Sequence, residues 1–105
     1  MEIVKTTEKY KFYQEGVNYI LELGDIKNGE NTTTELLVTG IEDSNLLQVV
    51  AHCGCTTTDK QLIDKNTQSI KISYTQCDPS FAKILEIKYK GVKLGTIKLK
   101  GKCQQ

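Results

Sequence analysis

No arginine occurs among the 105 residues, so all 14 basic side chains are lysine. Sequence readout of nucleic acid draws on the rigid guanidinium fork, and its absence argues against that class of function. A lysine-only set also follows from a codon bias toward A and T, a reading that outweighs a dedicated anion site. Proline occurs once, and with 38% hydrophobic and 26% charged residues the composition is that of an ordered globular chain. No apolar run approaches the roughly 18 residues of a membrane span, which predicts no membrane partner. The start, Met1-Glu2-Ile3-Val4-Lys5-Thr6, lacks the basic, apolar and small-residue regions of a signal peptide, so the chain is expected to be made and kept in a cytoplasm. Nor does any stretch keep a helical period.

What is present reads as one β domain. The length suits a single hydrophobic core. Charge is lopsided: residues 1–60 carry 10 acidic and 5 basic side chains, residues 61–105 carry 3 and 9, and the sum is +1. Residues 1–14 form an N-terminal arm or a first strand, with Tyr10, Phe12 and Tyr13 as its aromatic anchors, and residues 15–105 form the sandwich domain. From Val17 the period is two, with Val17, Tyr19, Leu21 and Leu23 on one face, until turn chemistry at Gly24-Asp25 and Lys27-Asn28-Gly29. Thr32–Thr39 is a second strand closed by Gly40. Leu46–His52 is a third, apolar on both faces as a central strand would be. Thr56–Ile63 is polar and suits a sheet edge. Gln68–Thr75 alternates, with Ile70, Ile72 and Tyr74 inward, and is broken at Gln76-Cys77-Asp78-Pro79. Phe81–Lys90 and Val92–Lys102 make a hairpin around Gly91, with a parity change at Gly95-Thr96 that predicts a bulge. About seven short strands separated by turns predict an all-β sandwich. The outward Lys88, Lys90, Lys93, Lys98 and Lys100 of the hairpin form a solvated face that blunts edge pairing or, as the alternative, a surface for an acidic partner.

Two of the four cysteines and the only histidine fall in His52-Cys53-Gly54-Cys55. An up-and-down strand order brings Cys53, Cys55, Cys77 and Cys103 to the same end of the sandwich. Three chemistries stay open there: a tetrahedral structural zinc on Cys53, Cys55, Cys77 and Cys103; disulfides, with Cys77 to Cys103 the more natural pair; and free thiols. Redox catalysis of the thioredoxin type requires a helix after Cys55, and none is predicted. His52 and Cys53 are adjacent on a strand, so their side chains diverge and do not form a nucleophile pair; His52 faces solvent or substitutes as a metal ligand.

Leu23-Gly24-Asp25-Ile26, Gly29-Glu30, the run Leu46–Val50, Cys53-Gly54-Cys55-Thr56, the alternating Ile70, Ile72 and Tyr74, and Leu99-Lys100-Gly101 together resemble a family. These are the immunoglobulin-like domains of unknown function marked by a Cys-Gly-Cys-Thr motif, common in Bacteroides-type bacteria and their phages and similar to Hydin-type (ASH) domains. The resemblance covers about residues 16–103. It departs from the family at Leu23, usually Phe, and at Asp64-Lys65-Asn66-Thr67, usually a Pro-Gly turn. It implies an immunoglobulin-like β-sandwich and a non-enzymatic, structural, protein-binding role. Cellular members are generally exported, so a version without a signal looks like a phage virion component such as an auxiliary capsid (decoration) protein. Its expected partners are other virion proteins, not nucleic acid or membrane, and its place is the virion, assembled in the host cytoplasm. The alternative is a cytoplasmic metal-binding or redox-responsive cysteine protein.

Overall fold

The computed structural model describes residues 1–5, 10–27, 29–51, 56–75 and 80–104. Alternating apolar residues build strands β1 (Glu2–Lys5), β2 (Lys11–Glu15), β3 (Asn18–Lys27), β4 (Thr32–Thr39), β5 (Leu47–Ala51), β6 (Thr56–Asp64), β7 (Thr67–Tyr74), β8 (Ser80–Tyr89) and β9 (Val92–Gln104), with one 3-10 turn at Ser44–Leu46. They form two sheets in the orders β1-β4-β7-β6 and β2-β3-β9-β8-β5. From β4 onward this is the immunoglobulin arrangement: the second, fifth and fourth strands of that fold in one sheet, and the third, sixth and seventh in the other. The fold is therefore an all-β, immunoglobulin-like sandwich, with β3 running parallel to β9 as the added first-strand segment.

The core lies between the sheets and follows the period of two. Leu36 and Val38 of β4 and Ile70, Ile72 and Tyr74 of β7 face Leu21, Leu85, Ile87, Ile97 and Leu99, all buried. Each such side chain contributes about 1.5–3 kcal/mol by leaving water.

The structure corrects several expectations. Nine strands are described, more than the seven expected, because the first fifteen residues supply one edge strand to each sheet. β1 pairs with β4 and β2 with β3. Tyr10 is buried and Phe12 stacks on Tyr19 at 6.1 Å, so these aromatics pack on their own domain, while Tyr13 faces outward. Val17 is exposed in the β2–β3 turn. Gly24 does not end its strand: Glu22 pairs with Lys100 and Gly24 with Gly101, leaving Leu23 as the extra residue of a bulge. A φ of 71° at Gly24 makes this cheap, and the change of parity returns Ile26 to the core. β5 is an edge strand, not a central one, and begins at Leu47 because Leu46 belongs to the 3-10 turn. In β9 the extra residue is Leu94, one place before the expected parity change, between the pairs Ile87–Gly95 and Lys88–Lys93. The β8–β9 turn has positive φ at Lys90 (53°) and Gly91 (78°), the signature of a two-residue type I′ hairpin.

Candidate functional site

The chain's chemistry is divided between its two ends. The molecule is elongated, 44 × 25 × 24 Å, and thirteen-residue β9 is long enough to run its length.

At one end stand the close of β9, the close of β3 and the starts of β4, β6 and β8. Register fixes this: Cys103 pairs with Ile26, Lys102 with Ser80, and Thr32 and Thr56 both with Tyr74. Cys103 shares the parity of buried Ile97 and Leu99, which puts it on the inner face, half-buried. Across from it, the last inner row of the other sheet is Thr32, Tyr74 and Thr56, all buried. Cys103 is disulfide-bonded, and its partner falls outside the described residues. So do His52, Cys53, Gly54, Cys55 and the break at Gln76-Cys77-Asp78-Pro79, together with Asn28 of the expected β3–β4 turn. Of the described residues that flank those gaps, Thr56, Thr75 and Ser80 lie toward the same end as Cys103, whereas Ala51 pairs with Leu85, level with Ile97 near the middle of the sheet. A sulfur held in a disulfide is not a thiolate donor, so the oxidised state seen at Cys103 does not fit a four-thiolate zinc site; the reduced chain would have to supply it. Among the described residues, no group of three or more His, Cys, Asp or Glu is placed to hold a metal.

The opposite end carries most of the exposed apolar side chains, set among exposed polar ones such as Glu42, Asn45, Lys65 and Lys93. Ten large apolar side chains among the described residues have more than a third of their surface exposed, and seven of them gather here. They are Met1 at the start of β1, Val17 in the β2–β3 turn, Leu46 in the 3-10 turn, Leu62 and Ile63 at the close of β6, and Val92 and Leu94 at the start of β9. The loops that present them are pinned. Ser44 donates from its amide to Lys65 O at 2.7 Å and from its hydroxyl to Asp64 O at 2.6 Å. Gln68 Nε2 donates to Ser44 O at 2.8 Å, Asn66 Nδ2 to Ile41 O at 2.7 Å, and the Asp43 amide to the Tyr89 hydroxyl at 2.9 Å. Sequence reading missed this end, because single apolar residues at turn positions carry no period. Only the topology adds them up.

Between the two edge strands β5 and β6 runs a groove of about 390 Å³, lined by Gln48, Val49, Val50, Thr58, Asp59, Lys60, Gln68 and Ile70. The Thr58 hydroxyl donates across it to Val49 O at 3.2 Å. It explains why β5 is apolar inward yet half-exposed: Val49 and Ala51 face the core at a side that no further strand closes. The expected edge role of Thr56–Ile63 is what β6 has, ending the four-stranded sheet with every residue but Thr56 exposed.

These features define a class: a two-sheet β-sandwich of immunoglobulin strand order, oxidised at one end and apolar at the other. Compared with models of protein families, with curated proteins and with solved structures, the chain matches none.

Proposed function

We propose that the chain is a non-enzymatic structural module that binds other proteins, a bacteriophage virion component such as an auxiliary capsid (decoration) protein. The observation that carries the binding role is the pinned loop end, where seven of the ten exposed large apolar side chains among the described residues fall, since exposed apolar surface brought together at one place suits a contact site. The virion setting rests on the resemblance carried by Cys53-Gly54-Cys55-Thr56. Its partners are the capsid protein or a neighbouring structural protein, and it neither needs nucleic acid nor enters a membrane. Purified chain mixed with particles of the parent phage and spun through a sucrose cushion should pellet with them. The double variant V17E/V92E, which charges the two most exposed apolar positions, should stay in the supernatant. Wild-type chain left in the supernatant refutes the reading.

The second reading, a cytoplasmic metal-binding or redox-responsive cysteine protein, draws on the disulfide at Cys103. Reduced protein incubated with zinc and desalted should then hold one equivalent on Cys53, Cys55, Cys77 and Cys103, and oxidised protein none. Equal metal in both, or none in either, removes that reading.

A further inference from the structure

The lysines of β8 and β9 cannot guard a sheet edge. Both strands are interior, flanked by β3 and β5. Lys90 leaves the set altogether, because it sits in the hairpin turn with its ammonium 5.8 Å from the centre of the Tyr89 ring. Lys88, Lys93, Lys98 and Lys100 stand on the outer face of the five-stranded sheet, since Ile87, Ile97 and Leu99 point inward.

Register turns part of that face into a built surface. Tyr13, Ile20, Lys98 and Ile84 pair in one row across four strands, and Lys11, Glu22, Lys100 and Ala82 in the next. A groove of about 300 Å³ runs over the first of these rows, bounded by Lys100 on one side and by Glu15, Asn18 and Thr96 on the other. Its floor is Ile20, which is 5% exposed although it is on the outer face, and the 52% exposed Ile84 stands at one side with Tyr13 at the other. The acids on this face are partly engaged. Glu22 accepts from the Tyr13 hydroxyl at 3.0 Å, and Glu86 pairs with Lys88 at 3.6 Å. Lys98 and Lys100 have no hydrogen bond or ion pair among the described residues. They stand two residues apart on one face, about 7 Å along the strand. Carboxylates at alternate positions of an extended chain have the same spacing.

We propose that this groove binds an extended acidic segment of a partner protein, laid along β9, with carboxylates at alternate positions on the ammonium groups of Lys98 and Lys100. The aliphatic stems of those acids rest on Ile84, the exposed apolar side chain of the groove. Glu15 lines the same groove and Glu22 borders it, which disfavours a continuous polyanion such as nucleic acid and favours a ligand whose charges are spaced. The surface adjoins the apolar end at Val17, which lies between Glu15 and Asn18 of its lining, and adds a second contact to the proposed binding role.

The test is fluorescence anisotropy at low salt with a labelled peptide carrying Glu at every second position and Thr between, the same peptide with Gln for Glu, and a labelled oligothymidylate. The Glu peptide should bind, weaken as salt rises, and lose about tenfold or more in affinity with K98E/K100E. K60E/K71E makes the same change in net charge on the other sheet and should leave binding unchanged. I84S should weaken it severalfold with both lysines intact. Equal binding of the Gln peptide, tighter binding of the oligothymidylate, or equal loss in K60E/K71E overturns the proposal. No particle enters this assay, so its failure leaves the particle reading standing, and failure to pellet with particles leaves this one standing.

Discussion

Substituting Gly95 by alanine should cost more than its size suggests. A Cβ built at Gly95 falls onto the carbonyl oxygen of Val17, well inside van der Waals contact, and stands 3.2 Å from the carbonyl carbon. Both obstacles are backbone, so no side chain can swing aside. The same oxygen accepts the Thr96 amide at 3.1 Å, the contact that starts the parallel pairing of β3 with β9. Overpacking costs about 1–3 kcal/mol and the strained or lost hydrogen bond about 1 kcal/mol. The alanine recovers about 0.4–1 kcal/mol by restricting the unfolded chain. The net is about 1–3 kcal/mol, or about 5–20 °C in Tm for a domain near this size. Urea denaturation followed by circular dichroism, run beside Gly91→Asn, makes the comparison. Gly91 has a φ of 78° with nothing within 4 Å of an added Cβ, and Asn tolerates that conformation at about 1 kcal/mol or less. Gly95→Ala within about 0.5 kcal/mol of wild type, or milder than Gly91→Asn, would refute the reasoning.

Leu85→Ala, at a fully buried position between the sheets, should cost about 2–5 kcal/mol in the same urea titration. Cys103→Ser should lower stability by about 2–4 kcal/mol under oxidising conditions and by far less in reductant, and non-reducing peptide mapping of the wild type should find Cys103 in a disulfide. The hydrogen bond from the Tyr13 hydroxyl to Glu22, with lesser contributions from burial and from the charges of Glu22 and Glu15, holds the Tyr13 phenol above its ordinary pKa. The raised value means that its small contribution to stability is present below the ordinary phenol pKa and lost as pH rises through the folded one. An NMR titration that follows the Tyr13 ring should show it ionising above the ordinary phenol range, and Glu22→Gln should bring it back toward that range.

How much of this was legible in the sequence depended on whether the signal was local. The alternation of Ile70, Ile72 and Tyr74, the polar edge strand after Thr56 and the hairpin around Gly91 were read from neighbouring residues and stand in the structure. The sandwich followed from their number. What failed required a partner strand to be known. Gly24 reads as a turn unless β9 is seen to continue beside it. The apolar run from Leu46 reads as central because its inner residues face a groove rather than solvent. Ile20 breaks the alternation of β3 because Tyr13 of the adjoining strand and Lys98, distant in sequence, flank it across the sheet. The hairpin lysines suggested an edge until the strand order put β8 and β9 in the interior. The candidate site was half legible. Cysteine density drew attention to Cys53 and Cys55, which lie outside the described residues, so of the four cysteines only the oxidised Cys103 is placed, and the exposed apolar residues of the other end had no motif to announce them.

The central claim is that this sandwich is a structural part of a particle, held there through its apolar end. Quantitative mass spectrometry of gradient-purified virions tests it most directly. The account predicts the chain at a fixed ratio to the capsid protein in every preparation, and its loss from particles assembled with V17E/V92E. A chain absent from purified virions, or present at a ratio that falls with each purification step, would contradict it.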